Sequence, residues 1–181
     1  MRKINIHLTL DKRATVYCYE VNRGIRGITT SIIEFGPSAH MIPHISLIMG
    51  QMRDDAGLIT IAKITQDAVS DESAIVFSVD PPYLEDVRNR YVFSDVRAGG
   101  AFENLRRKLH SLLNEKHLDV QTDYAEMPHL TLGHVDDHKD EVREYLRGVR
   151  AGFSICCPAV EISDAGPKGT CINSLYKFDL K

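Results

Sequence analysis

The phrase Pro43-His44-Ile45-Ser46-Leu47 returns almost unchanged as Pro128-His129-Leu130-Thr131-Leu132, and this repetition restricts the fold more than any other feature of the chain. In both copies one apolar residue separates a histidine from a hydroxyl residue. Successive side chains of a β-strand point to opposite faces, so the imidazole and the hydroxyl share one face while the apolar residues take the other. Each phrase is therefore expected to form a strand with one buried side and one side that presents His plus Ser or Thr. Two such strands facing each other gather two imidazoles and two hydroxyls over a single cleft.

With eight His in the chain, roughly one His-x-Ser/Thr arises by chance. Three occur. The third, His7-Leu8-Thr9, lacks the preceding Pro and leads through Asp11-Lys12-Arg13 into another strand-like run. Both Pro-His phrases instead lead, within about ten residues, into helical patterns opened by Asp. His44 and His129 are the matched pair.

No low-complexity linker divides the 181 residues, so residues 1–181 read as one domain with two lobes. A hydrophobic content of 43% and a charged content of 26% describe a soluble globular chain. The net charge of -3 argues against a protein that grips a long duplex by neutralising phosphates, although a local basic pocket remains compatible with it. Four Cys without a CxxC spacing read as reduced thiols of a cytoplasmic protein. Met1-Arg2-Lys3 is basic, but Asn5, His7 and Thr9 interrupt the run behind it, which is no secretion signal. Residues 35–52 carry no charged side chain, yet they hold Pro37, Pro43, two His and two Gly, which is a loop and a strand rather than a membrane span.

In chain order, Ile4, Ile6, Leu8 and Leu10 alternate with Asn5, His7 and Thr9 as a half-buried strand. Ala14–Val21 and Ile28–Phe35 are predicted as two more strands, followed by the first motif strand over 42–49. A helix follows with Leu58, Ile61, Ala62, Thr65, Ala68 and Val69 on one face and Asp54 or Asp55 as its N-cap. The second half repeats this grammar. Strands are predicted over 74–79 and 91–96, then a helix with Phe102, Leu105, Leu109, Leu112 and Leu113 on one face and the solvated trio Arg106-Arg107-Lys108 on the other. The second motif strand spans 127–135, Asp136 or Asp137 caps a last helix, and closing strands fall near 153–162 and 171–180.

A pair of His-x-Thr/Ser strands, each followed by a helix and separated as His44 and His129 are, resembles the two-histidine (2H) phosphoesterase superfamily. The stretch Gly166-Pro167-Lys168-Gly169-Thr170 before an amphipathic last strand is similar to the end of that family's chains. The resemblance extends over nearly the whole sequence and is closest to RNA 2′,3′-cyclic phosphodiesterases, also described as 2′-5′ RNA ligases. It implies an α+β fold of two lobes related by a pseudo-twofold axis, each with an antiparallel sheet, helices outside and a cleft between.

The residue types suit that chemistry independently. Opening a cyclic phosphodiester needs a base for the attacking water and an acid for the departing ribose oxygen. Two imidazoles divide these tasks near neutral pH, giving a bell-shaped profile. The Ser46 and Thr131 hydroxyls are placed to donate to the non-bridging oxygens. His44, His129, Ser46 and Thr131 are thus the expected catalytic set, with no cofactor or metal, and with an RNA terminus or a small cyclic nucleotide as the partner. Ligation would be the reverse reaction. The pattern leaves open which imidazole is the acid, and it carries no signal for oligomeric state. His7, and Tyr17 with Tyr19 on one face of the second predicted strand, are weaker candidates for contacts to phosphate and bases. Two competing readings are a metal site built from His129, His134 and His138, with His40 before His44, and a nucleotide-binding or signal-degrading module on the same fold. Odd strand parity between His129 and His134, and the lack of an acidic or Cys partner at ligand spacing, weigh against the metal.

Overall fold

The structure, a computed structural model, describes residues 2–52, 57–87, 90–113, 118–120 and 127–181. The elements are β1 (Lys3–Thr9), α1 (Lys12–Arg26), β2 (His44–Met52), α2 (Gly57–Val69), β3 (Ile75–Val79), β4 (Tyr83–Leu84), β5 (Tyr91–Arg97), α3 (Ala101–Leu112), β6 (Leu118–Val120), β7 (His129–His134), α4 (Lys139–Arg147), β8 (Ser154–Cys157), β9 (Ala159–Ala165) and β10 (Cys171–Asp179). Among the described residues they form an α+β fold with two antiparallel sheets of five strands. The first has the order β10-β9-β1-β2-β6. In the second, β5 is central, with β7 along one edge, β4 and β3 sharing the other, and β8 beyond β3.

Each sheet buries one face beneath helices, and the helices are exchanged between halves. α1 leaves the first sheet and packs with α4 on the second, against β7, whereas α2 and α3 pack together and cover the first, against β10 and β2. Ile4, Ile6 and Leu8 of β1 are fully buried on the helix-covered side, as their alternation requires. Asn22 ties α1 to the second sheet. Its Nδ2 donates to Leu132 O at 2.9 Å and to Ile33 O at 3.1 Å, while its Oδ1 accepts from the Phe35 N–H at 3.0 Å.

Four sequence expectations are corrected. Ala14–Val21 is not a strand but the body of α1, in which Ala14, Cys18, Val21, Asn22 and Ile25 are buried at helical spacing. The β-prone Thr15, Val16, Tyr17 and Tyr19 are overridden by that stripe and by Asp11, which caps the helix by accepting from the Ala14 N–H at 2.8 Å. Ile28–Phe35 is irregular; Ile33 and Phe35 are buried there, and its backbone is held by Asn22 rather than by a neighbouring strand. Neither Asp136 nor Asp137 caps α4: His138, in the left-handed region with φ 50°, stands at that position, and Asp137 accepts from the Thr29 hydroxyl. The predicted strand over 153–162 breaks at Pro158, which has no N–H for a ladder. There the chain passes from β8 in the second sheet to β9 in the first.

Asp54 and Asp55, the expected caps of α2, lie outside the described residues. The two-residue β4 and three-residue β6 went unpredicted, being too short to show a period. Among the described residues no helix is long and apolar enough to cross a membrane. The four cysteines are unpaired thiols, and Cys18, Cys157 and Cys171 are buried.

Candidate active site

The two motif strands lie in different sheets and meet at the seam between them. β2 is paired with β1 and β7 with β5, and the two ladders have the same register. On β2, His44 opposes Thr9 and Ser46 opposes His7; on β7, His129 opposes Asp95 and Thr131 opposes Phe93. Both ladders then skip the leucine after the hydroxyl residue, Leu47 or Leu132, as a β-bulge. Ile45, Leu47, Leu130 and Leu132 are buried, so the imidazole and hydroxyl of each phrase face the other way, as strand parity requires.

The two imidazoles are anchored alike. His44 Nδ1 lies 2.7 Å from the Ile42 carbonyl oxygen, and His129 Nδ1 lies 3.1 Å from that of Met127, two residues back in each case. A carbonyl only accepts, so Nδ1 carries the hydrogen in both rings and Nε2 of each neutral ring carries the lone pair. Behind each ring stands another. His7 is 4.9 Å from His44 between centroids at a 55° tilt, and Phe93 is 4.5 Å from His129 at 48°.

The surroundings of the rings differ in charge. Burial pulls His44 down to about 4, against the opposing effect of the Ile42 carbonyl, and the nearby His129 lowers it further. His129 is also lowered by burial, but both the Met127 carbonyl and the Asp95 carboxylate favour its protonated form. Tyr83 donates its hydroxyl hydrogen to Asp95 at 3.0 Å.

Of the weaker candidates, His7 does face the same side as Thr9 and His44, but it is fully buried and approaches the site only through the His44 ring. Its Nε2 is 3.9 Å from Glu161 on β9. Burial lowers His7 well below its ordinary value, with His44 adding to the effect, and burial raises Glu161 against the pull of Ser174 and Lys177. The His7 ring is therefore neutral at neutral pH. Tyr17 and Tyr19 are not brought together. They sit two residues apart on α1, where such neighbours do not share a face. Tyr17 contacts Phe153 and lies 3.3 Å from the Ser94 hydroxyl, on the side of β5 opposite Phe93 and Asp95.

The metal argument from parity is also altered. The bulge at Leu132 shifts the pattern by one, so His134 opposes Tyr91 and turns to the face of Phe93 and Thr131. His134 is buried there edge-on to the Tyr91 ring. Even so, no group of three or more His, Cys, Asp or Glu among the described residues converges as metal ligands would.

Residue-type patterns missed Asn5, Tyr91, Phe93 and Asp95. Tyr91 and Phe93 stack in parallel, 5.6 Å apart at 5°, and with Asp95 they line one face of β5. Their shared parity was available in the strand predicted over 91–96. That of Asn5 with His7 was available in the first strand.

No protein-family model matches the chain, and no curated protein sequence does. Solved structures do match. LigT of E. coli in its apo form is 10% identical, with 99% of this chain and 98% of that one covered, at a TM-score of 0.70. A structure described as a phosphoesterase is 13% identical over 99% and 98%, at 0.69. The MHV ns2 PDE domain is 16% identical over 90% and 99%, at 0.54. At these identities the likeness is one of fold, the fold that LigT, the phosphoesterase and the ns2 PDE domain share. The resemblance carried by the two motifs thus extends to the architecture around them.

Proposed function

We propose that the chain is a metal-independent two-histidine phosphodiesterase that opens 2′,3′-cyclic phosphate termini of RNA or related cyclic nucleotides. The observation that carries this reading is the matched pair of imidazoles across the seam, each with Nδ1 tied to the carbonyl two residues back, so that Nε2 is the nitrogen that exchanges a proton. In the forward reaction His44 removes a proton from water as the water oxygen bonds to phosphorus. The bond from phosphorus to one ribose oxygen breaks, and His129 protonates that oxygen. His44 is assigned as the base because its surroundings favour the neutral ring, and His129 as the acid because Asp95 favours the charged one. Ser46 and Thr131 donate to the non-bridging oxygens.

The half-exposed ladder of Tyr91 and Phe93 beside His129 offers a face on which a nucleobase stacks. LigT, on the same fold, has been crystallised with phosphate, 3′-AMP, ATP and NADP+, which supports a nucleotide-sized ligand here. Ligation to a 2′-5′ linkage is the same path reversed.

The test is hydrolysis of the four nucleoside 2′,3′-cyclic monophosphates and of a short RNA ending in a cyclic phosphate, with EDTA present, for the wild type, His44→Ala and His129→Ala. Turnover in EDTA that either substitution reduces by about 10²- to 10⁴-fold is the expected result. Activity lost to EDTA sinks the metal-free scheme. Binding of these nucleotides without turnover points to the recognition module instead.

A further inference from the structure

Asn5 is fully buried on the cleft-facing side of β1, and its Nδ2 lies 2.8 Å from Ser46 Oγ and 3.3 Å from His44 Nε2. One amide thus touches both polar members of the first motif. Its orientation follows from the tautomer. The Ile42 carbonyl takes the Nδ1 hydrogen of His44, so Nε2 of the neutral ring carries a lone pair, and only an N–H can face it. The same amide donates to Ser46 Oγ, which leaves the hydroxyl hydrogen of Ser46 free for another acceptor.

We propose that Asn5 is a positioning residue for the base: its amide rests on the Nε2 lone pair of His44 and on one lone pair of Ser46 until the attacking water takes its place at Nε2, so that the ring is held neutral and in position and the hydroxyl donates to phosphate. This rests on the phosphodiesterase reading above. The second lobe supports it by contrast. Past the bulge, Asn5 opposes Met49 as Tyr91 opposes His134, so an aromatic ring stands where the amide stands in the first lobe. An N–H aimed at Nε2 suits a neutral ring, the form in which a base waits for water. Aimed at the Nε2–H of an acid it would set donor against donor.

The titratable groups around His44 are His7 from β1, His129 from β7, Glu161 of β9 beyond His7, and the Cys171 thiol of β10 beside Asn5. Burial keeps the Cys171 thiol uncharged and raises Glu161, which stands behind His7 rather than against His44. Asn5→Asp therefore introduces a carboxylate at hydrogen-bond distance from the His44 ring, where the wild type has an amide. A carboxylate at hydrogen-bond distance stabilises the imidazolium, so the His44 titration followed by NMR of its ring C–H should move up from near 4 by about one to three pH units. The acidic limb of kcat/KM should follow it while the basic limb stays. Asn5→Leu, which tests the amide without adding charge, should lower kcat roughly ten- to hundredfold without raising the acidic limb. An unmoved His44 midpoint in Asn5→Asp, or wild-type kcat in Asn5→Leu, overturns the proposal. If the wild type turns over no phosphodiester, the phosphodiesterase reading fails, and the NMR titration still decides what Asn5 does to His44.

Discussion

The β1–β2 ladder and the β5–β7 ladder carry the same backbone and different chemistry. Both place a histidine and a hydroxyl residue on the seam-facing side, both bulge at the following leucine, and both set a ring behind the histidine. In the first ladder the opposing strand supplies Asn5, His7 and Thr9, with His7 held neutral by burial and the raised Glu161 carboxyl beyond it. In the second it supplies Tyr91, Phe93 and Asp95, two aromatic rings and an anion. The repeated phrase accordingly sets where the imidazoles are; burial lowers both, and the partner strand adds a carboxylate beside His129 alone. On the proposed reading, three residues on the neighbouring strand divide a symmetric scaffold into a base and an acid.

The strongest way to break this comparison is to remove each imidazole in turn. His44→Ala and His129→Ala should each cost about 10²- to 10⁴-fold in kcat, and the double variant should be scarcely worse than either, because the two act as one unit. Additive losses would mean independent contributions. A smaller effect separates the roles. Asp95→Asn removes a cause that favours the charged form of His129, so the basic limb of kcat/KM should move to lower pH by about half a unit to one unit, with the acidic limb unmoved. Movement of the acidic limb instead would exchange the assignments of acid and base.

How much of this was legible can be argued from particular residues. The motif strands were, because His44, Ser46, His129 and Thr131 each sit in an alternation that strand parity reads directly. The helices α2, α3 and α4 were, because their buried residues recur at helical spacing. α1 was not: Thr15, Val16, Tyr17, Tyr19 and Val21 favour strands locally, and only its packing on the second sheet, through Ile25 against Gly133 and Asn22 against the Leu132 carbonyl, makes it a helix. That error carried Tyr17 and Tyr19 into the candidate site. The partners of the imidazoles were only half legible, since parity shows that Asn5 and His7 share a face but not that β2 lies beside them in a register placing His7 against Ser46. Register is a property of two strands, and the bulge that returns His134 to the site face is visible only once they are paired.

The smallest effect expected is on stability, and it sharpens the comparison because the two rings behind the histidines differ in one respect that matters for protons. His7 is ionisable and Phe93 is not. His44, His7 and His129 all have their pKa lowered by folding, so between the folded values and the unfolded value of 6.5 the unfolded chain binds more protons than the native one. Stability then falls as pH falls through that window and is fully present above it. For His44, with a folded value of about 4, the loss across the window is about 3 kcal/mol. The raised Glu161 carboxyl acts in the opposite sense, binding its proton more tightly in the native state, while His134, also lowered by burial, acts with the other imidazoles. Urea midpoints should therefore drop between pH 7 and pH 4.5. His7→Phe gives the first ladder the residue that the second already uses, keeps a ring against His44, and removes two buried nitrogens that have no hydrogen-bond partner among the described residues. Its urea midpoint should fall less steeply with acid than that of the wild type. An equal slope in the two proteins would show that His7 takes no part in the proton balance, and that its ring serves only the packing that Phe93 provides in the other lobe.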